Sequence, residues 1–142
     1  MDFYAQGRYC SNSKQRQDMD LKDKTKLVKV LGSASAALTK LEESVHAFEA
    51  QGKSPPKADV QLLKSIQRAL DLLKINSFAG DVVPHNLWPA EFEHLPNLFR
   101  MELSQYWRLL YYVTGGEVTI ISVVFEIIDH GKYNKLFGYK KK

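Results

Sequence analysis

Residues 98–142 read LFRMELSQYWRLLYYVTGGEVTIISVVFEIIDHGKYNKLFGYKKK, and the period of this stretch decides the fold class. Phe99, Met101 and Leu103 alternate with Arg100 and Glu102, a two-residue period that predicts a strand with one face turned to a core. Trp107 to Val113 reads as the next strand, and Gly115-Gly116 supplies a tight turn. Val118 to Ile128 is rich in β-branched residues, as a central strand covered on both faces requires.

Upstream the period changes. Ala34, Leu38, Leu41, Val45 and Phe48 recur at spacings of three and four, one apolar stripe on a helix that Ser33 or Ser35 caps and Gly52 ends. The segment GKSPP breaks it, because the residue before a proline is driven out of the helical region. Leu63, Ile66, Leu70 and Leu73 form a second stripe that closes near Asn76 to Gly80. Two amphipathic helices with a short breaker predict an antiparallel hairpin in need of an apolar surface. A short strand from Lys26 to Val30 precedes them. The expected order is β-α-α-β-β-β, an α+β fold with the hairpin laid on a small antiparallel sheet.

The chain has 142 residues and a mass of 16.3 kDa, which suits one domain. Residues 1–25 are polar and charge-mixed, with only Phe3, Tyr4 and Tyr9 as anchors, and predict an extension ahead of a domain over 26–142. Trp88 and Trp107 read as core anchors, and Tyr111-Tyr112 as a pair with one ring in and one out.

A single cysteine, Cys10, excludes an intramolecular disulfide and a cysteine-based zinc site. His46, His85, His94 and His130 lack metal-ligand spacing, so neither a metal nor another cofactor is expected. The N-terminus has no apolar signal-peptide core. The run from Val118 to Ile128 is too short to span a bilayer and is broken by Ser122 and Glu126. A cytoplasmic protein without a membrane partner is the expectation.

The net charge of +4 permits a polyanionic partner without demanding one. Between residues 84 and 139 the acidic side chains outnumber the basic ones, so any phosphate chemistry depends on placement. Arg100 and Arg108 lie on consecutive predicted strands. If those strands are adjacent and antiparallel, the two guanidiniums could project from a single sheet face, where forked donors suit phosphodiester oxygens. His130, Lys132 and Tyr133 then offer a general acid or base, a cation and a stacking ring. Lys135, Lys140 and Lys141 add candidate contacts to an RNA backbone. Plainer roles are open as well: Arg100 paired with Glu102 or Glu126, Arg108 snorkelling at a strand edge, His130 capping a strand end, Tyr133 pinning the C-terminus with Leu136 and Phe137, and Lys140, Lys141 and Lys142 forming a solvated tail that adds weak electrostatic attraction.

The stretch also resembles the C-terminal half of RelE/ParE-type toxins of type II toxin–antitoxin systems. The likeness rests on the arginine in LFR, the aromatic-Arg-x-x-Tyr strand WRLLY, the glycine turn, the β-branched strand and the His-x-x-Tyr ending. With the preceding hairpin, ALDLLKINSFAG and the LWP segment, it covers roughly residues 26 to 139. The resemblance implies a ribosome-dependent mRNA endonuclease that inhibits translation, with no metal and no covalent intermediate. It further implies partners in the ribosome, mRNA and a cognate antitoxin, held in a toxin–antitoxin hetero-oligomer. Arg108 and Arg100 would stabilise the reacting phosphate, with His130 as acid or base, Tyr133 stacking or assisting proton transfer, and Lys132 beside them. Glu102 and Glu126 depart from the family pattern. They favour a catalytically degenerate binding protein of the same fold, and a gyrase-poisoning toxin of the ParE branch is a further alternative that the resemblance leaves open.

Overall fold

A computed structural model describes residues 24–138. Lys140, Lys141 and almost all of the expected N-terminal extension lie outside the described residues. The chain runs through β1 (Thr25–Val30), α1 (Gly32–Ala50), α2 (Lys57–Ile75), β2 (Asp81–Val82), β3 (Phe99–Glu102), β4 (Arg108–Gly115), β5 (Thr119–Ile128) and α3 (His130–Leu136). Single 3-10 turns occupy His85–Leu87, Ala90–Phe92 and Ser104–Tyr106. The α+β class holds.

The five strands form one sheet in the order β1-β5-β4-β3-β2. The expected all-antiparallel sheet is corrected at one edge, where β1 runs parallel to β5 from Thr25 opposite Thr119 to Val30 opposite Val124. The ten-residue β5 extends its backbone donors and acceptors along both sides, and β1 satisfies the side that β4 does not. The two-residue β2 and the helix α3 are further departures from the expected order.

Both faces of the sheet are covered, as the composition of β5 requires. On one face, α1 brings Ala34, Ala37, Leu38 and Leu41, and α2 brings Leu62, Ile66, Ala69 and Leu73, against Leu109, Tyr111, Val113, Val124 and Ile127. Of the expected stripe, Ile66 and Leu73 are buried and Leu70 packs at the edge of this core, but Leu62 and Ala69 complete its centre and Leu63 lies outside it. The expected serine caps are absent as well. Leu31 is the cap residue of α1 with no side-chain bond, and Ser33 instead donates to Glu126 Oε1 at 2.7 Å. Gly52, at φ +72°, ends that helix as expected, with its N–H on the Glu49 carbonyl.

The opposite face is covered by residues 83–98 and α3, which place Val83, Phe92, Leu98 and Tyr133 on Leu110 and Ile128. Trp88 leans on this layer and donates its indole N–H to the Val83 carbonyl at 2.8 Å. A β-bulge sets the alternation that separates the two layers. Leu110 faces Glu126, but Tyr111 faces Val124, so Phe125 is the extra residue of β5. The bulge lets Val124 and Ile127, three positions apart, face the same helices, and it turns Ile128 to the side of Arg108.

Candidate functional site

The register of β3 and β4 settles where the two strand arginines stand. Arg100 is opposite Leu110, and Glu102 is opposite Arg108, which in turn faces Ile128 on β5. Directly opposed residues share a face. Arg100, Glu102, Arg108 and Leu110 therefore occupy one side of the sheet, the side that α3 covers.

Asp129 fixes the start of α3, because its Oδ1 accepts the Lys132 N–H at 2.8 Å and caps the first turn. That cap turns Tyr133 inward, where 2% of it is exposed. Its ring stacks on Phe137 at 4.4 Å and carries both guanidiniums, with Arg100 Cζ 5.9 Å and Arg108 Cζ 5.3 Å from the centroid. Arg100 Nη1 donates to the Tyr133 hydroxyl at 2.8 Å. The tyrosine thus serves as the platform beneath the arginines, and its ring is covered by the fold.

Arg108 is held from the other side. Its Nη1 donates to the Tyr106 carbonyl at 2.9 Å and to that of Trp107 at 3.4 Å, and Nη2 lies 3.9 Å from Glu102 Oε2. Its side chain is only 11% exposed, whereas Glu102 is 63% exposed, so the carboxylate sits at the rim and the cation below it. The Arg108 Nε is buried with no hydrogen-bond partner among the described residues. A cation sheltered in this way acts on its surroundings with less screening than a surface arginine.

His130, the first residue of α3, is exposed. Asn134 Nδ2 lies 3.1 Å from His130 Nε2. The imidazole lies 5.8 Å, centroid to centroid, from the ring of Tyr106. Tyr106 therefore links His130 to Arg108, touching one with its ring and the other with its carbonyl.

Lys132 and Lys135 turn elsewhere. Lys132 borders a groove floored by Ala37, Leu41, Ile127 and Ile128, and Lys135 borders an adjoining one with Ser33, Glu91 and Glu126. The fold thus gathers Arg100, Arg108, Tyr133 and His130 and sets the two lysines along the flank between α1 and α3. Glu126, on the arginine face, is engaged by Ser33.

The residue that the sequence reading passed over is Tyr106. Gln105 and Tyr106 both adopt left-handed backbone, with φ of 59° and 66°. No glycine marks the turn, so the only signal in the sequence is the polar Ser104-Gln105 break between two strands.

Among the described residues, no group of three or more His, Cys, Asp and Glu is placed to hold a metal ion. No described helix is long and apolar enough to cross a membrane.

No family model, curated protein or solved structure matches this chain.

Proposed function

We propose that this chain is a RelE/ParE-type toxin acting as a metal-independent, ribosome-dependent mRNA endonuclease, restrained by an antitoxin that covers the arginine-bearing surface. The observation that carries the reading is the shared sheet face of Arg100 and Arg108, with the exposed imidazole of His130 linked to it through Tyr106. Arg100, Arg108 and His130 are among the residues on which the family resemblance rests, and they come from β3, β4 and α3. The order from β1 through the helix pair to β3, β4 and β5 adds support.

In this reading His130 removes the proton of a ribose 2′-hydroxyl, whose oxygen attacks the adjacent phosphorus. The bond from phosphorus to the 5′-oxygen breaks, and that oxygen takes a proton from solvent water as it leaves. A 2′,3′-cyclic phosphate remains on the upstream fragment. The arginines offset the charge that grows on the non-bridging oxygens.

The test is expression in a bacterial host lacking the antitoxin, with growth and mRNA integrity followed together. Growth arrest with cleaved mRNA is expected from the wild-type chain, and relief of both from His130→Gln. That substitution lies at an exposed position and leaves the sheet intact. Normal growth with intact mRNA from a folded wild-type chain overturns the proposal.

A second reading is favoured by the burial of Arg108 and its pairing with Glu102. In it the chain is a catalytically silent binding protein of the same fold. Harmless overexpression with retained antitoxin binding supports that alternative.

A further inference from the structure

We propose that Tyr106 is the stacking surface for an unpaired nucleobase, with the imidazole of His130 as the second wall of the subsite. The inference rests on the RNA-directed reading above and assigns the base contact to this residue rather than to Tyr133.

The geometry of the β3–β4 connection carries it. Left-handed backbone is costly for residues with a Cβ, and two such residues in succession persist only where the surroundings hold them. Here the bracing is visible. Gln105 Nε2 donates to the Ala58 carbonyl at 3.0 Å, and the Ser104 N–H donates to Ser65 Oγ at 3.2 Å. The Leu103 N–H and Trp107 carbonyl close the loop at 2.9 Å. These bonds tie the loop to α2 and aim the Tyr106 ring outward.

The ring gains little packing from this placement. It is 72% exposed, and the aromatic contact it makes is the tilted one with His130, at 53° between planes. A loop strained at two positions in order to hold an aromatic ring in water is a feature that folding alone does not favour. Its neighbours suit a nucleotide. The Tyr106 carbonyl is bonded to Arg108, so a base on the ring sets its own phosphate within the field of the sheltered guanidinium. Glu102 and Asp129 lie at the margins, and each is engaged, by Arg108 and by the Lys132 N–H. Tyr133, being covered, has no face for a base.

Stacking is tolerant of base identity and requires an unpaired strand. The test is therefore fluorescence anisotropy with a short labelled single-stranded RNA at low salt, and with a duplex of the same sequence as comparison. The wild-type chain is expected to prefer the single strand. Tyr106→Phe keeps the ring and should bind as the wild type does, whereas Tyr106→Ala should bind about tenfold more weakly. Tyr106→Gly separates binding from structure: it relieves the left-handed strain, so its melting temperature should rise while its binding falls to that of Tyr106→Ala.

Unchanged binding by Tyr106→Ala, equal binding of duplex, no binding by the wild type, or a lowered melting temperature for Tyr106→Gly would overturn the inference. Growth arrest and mRNA cleavage report separately on the toxin reading. Arrest by the wild type with unchanged RNA binding in Tyr106→Ala removes only the subsite. Absence of arrest with lost binding in Tyr106→Ala removes only the toxin reading.

Discussion

The guanidinium of Arg100 on β3 donates to the hydroxyl of Tyr133 on α3 across 2.8 Å, joining residues 33 positions apart in the chain. The bond makes the last helix and the sheet one unit. It also means that the tyrosine at the centre of the arginine cluster organises the cations from below. The consequences of that arrangement, and of three other close fits, can be measured.

Tyr133→Phe keeps the ring that stacks on Phe137 and underlies both arginines but removes the acceptor for Arg100. A hydrogen bond to a charged group contributes about 1.5–3 kcal/mol. A loss of that order is expected in urea unfolding, together with faster amide exchange in α3. An unchanged midpoint would show that the bond contributes nothing to holding the helix.

Tyr111 should make the fold sensitive to alkali. Its hydroxyl donates to the Ser77 carbonyl at 3.0 Å and accepts the Gly80 N–H at 2.9 Å. Burial pushes its ionisation above the ordinary value of 10.0, the Gly80 N–H opposes that shift, and the negative charge of Asp81 adds to it. The unfolded chain therefore gives up this proton first. The contribution is complete below the unfolded value and is lost as pH climbs through the folded one. Melting temperature should fall above about pH 10, and Tyr111→Phe should flatten that part of the profile. At neutral pH the same substitution strands two backbone groups and should cost about 1–3 kcal/mol.

Ser122 sits in the middle of β5, fully buried, and its hydroxyl has no hydrogen-bond partner among the described residues. Ser122→Ala removes an unsatisfied polar group without enlarging the side chain. A gain of about 1 kcal/mol is expected, read as a higher denaturation midpoint. A loss of stability would mean that the hydroxyl has a partner, such as a buried water.

The two glycines of the β4–β5 turn should respond differently. Gly115 has φ +154°, and a Cβ there would run into the Thr119 carbonyl oxygen. Gly116 has open space around the same position. Gly115→Ala should destabilise by about 2 kcal/mol or more, while Gly116→Ala should stay within about 0.5 kcal/mol. Thermal melts of the two single variants decide the matter.

Periodicity is local, and what it encodes was legible. The stripe through Ala34, Leu38, Leu41 and Val45 marked α1, the alternation around Arg100 marked β3, and the β-branched run marked β5 as the strand with both faces covered. That β3 and β4 are antiparallel neighbours left two registers open, and the one that sets Glu102 opposite Arg108 places Arg100 and Arg108 on one face. The segment from Val83 to Leu98 carries no such period. Its Phe92, Trp88 and Leu98 are held by contacts with distant strands and by single 3-10 turns. Nothing in its spacing announced a second layer.

The sequence by itself determined the α+β class, the helix pair, the strands that became β3, β4 and β5, and the side chains that carry charge. Each of these follows from interactions between residues a few positions apart. Only the tertiary structure decided that β1 lies parallel to β5, that Tyr133 is a covered platform, that Lys132 and Lys135 turn toward α1, and that Tyr106 stands outside. Those outcomes depend on which distant backbone groups need partners and on which side chains are left over once the two cores are filled. The bulge at Phe125 shows the reason in one residue. Inserting a single position into β5 reverses which side chains face the arginines, and that insertion exists only relative to the register of β4.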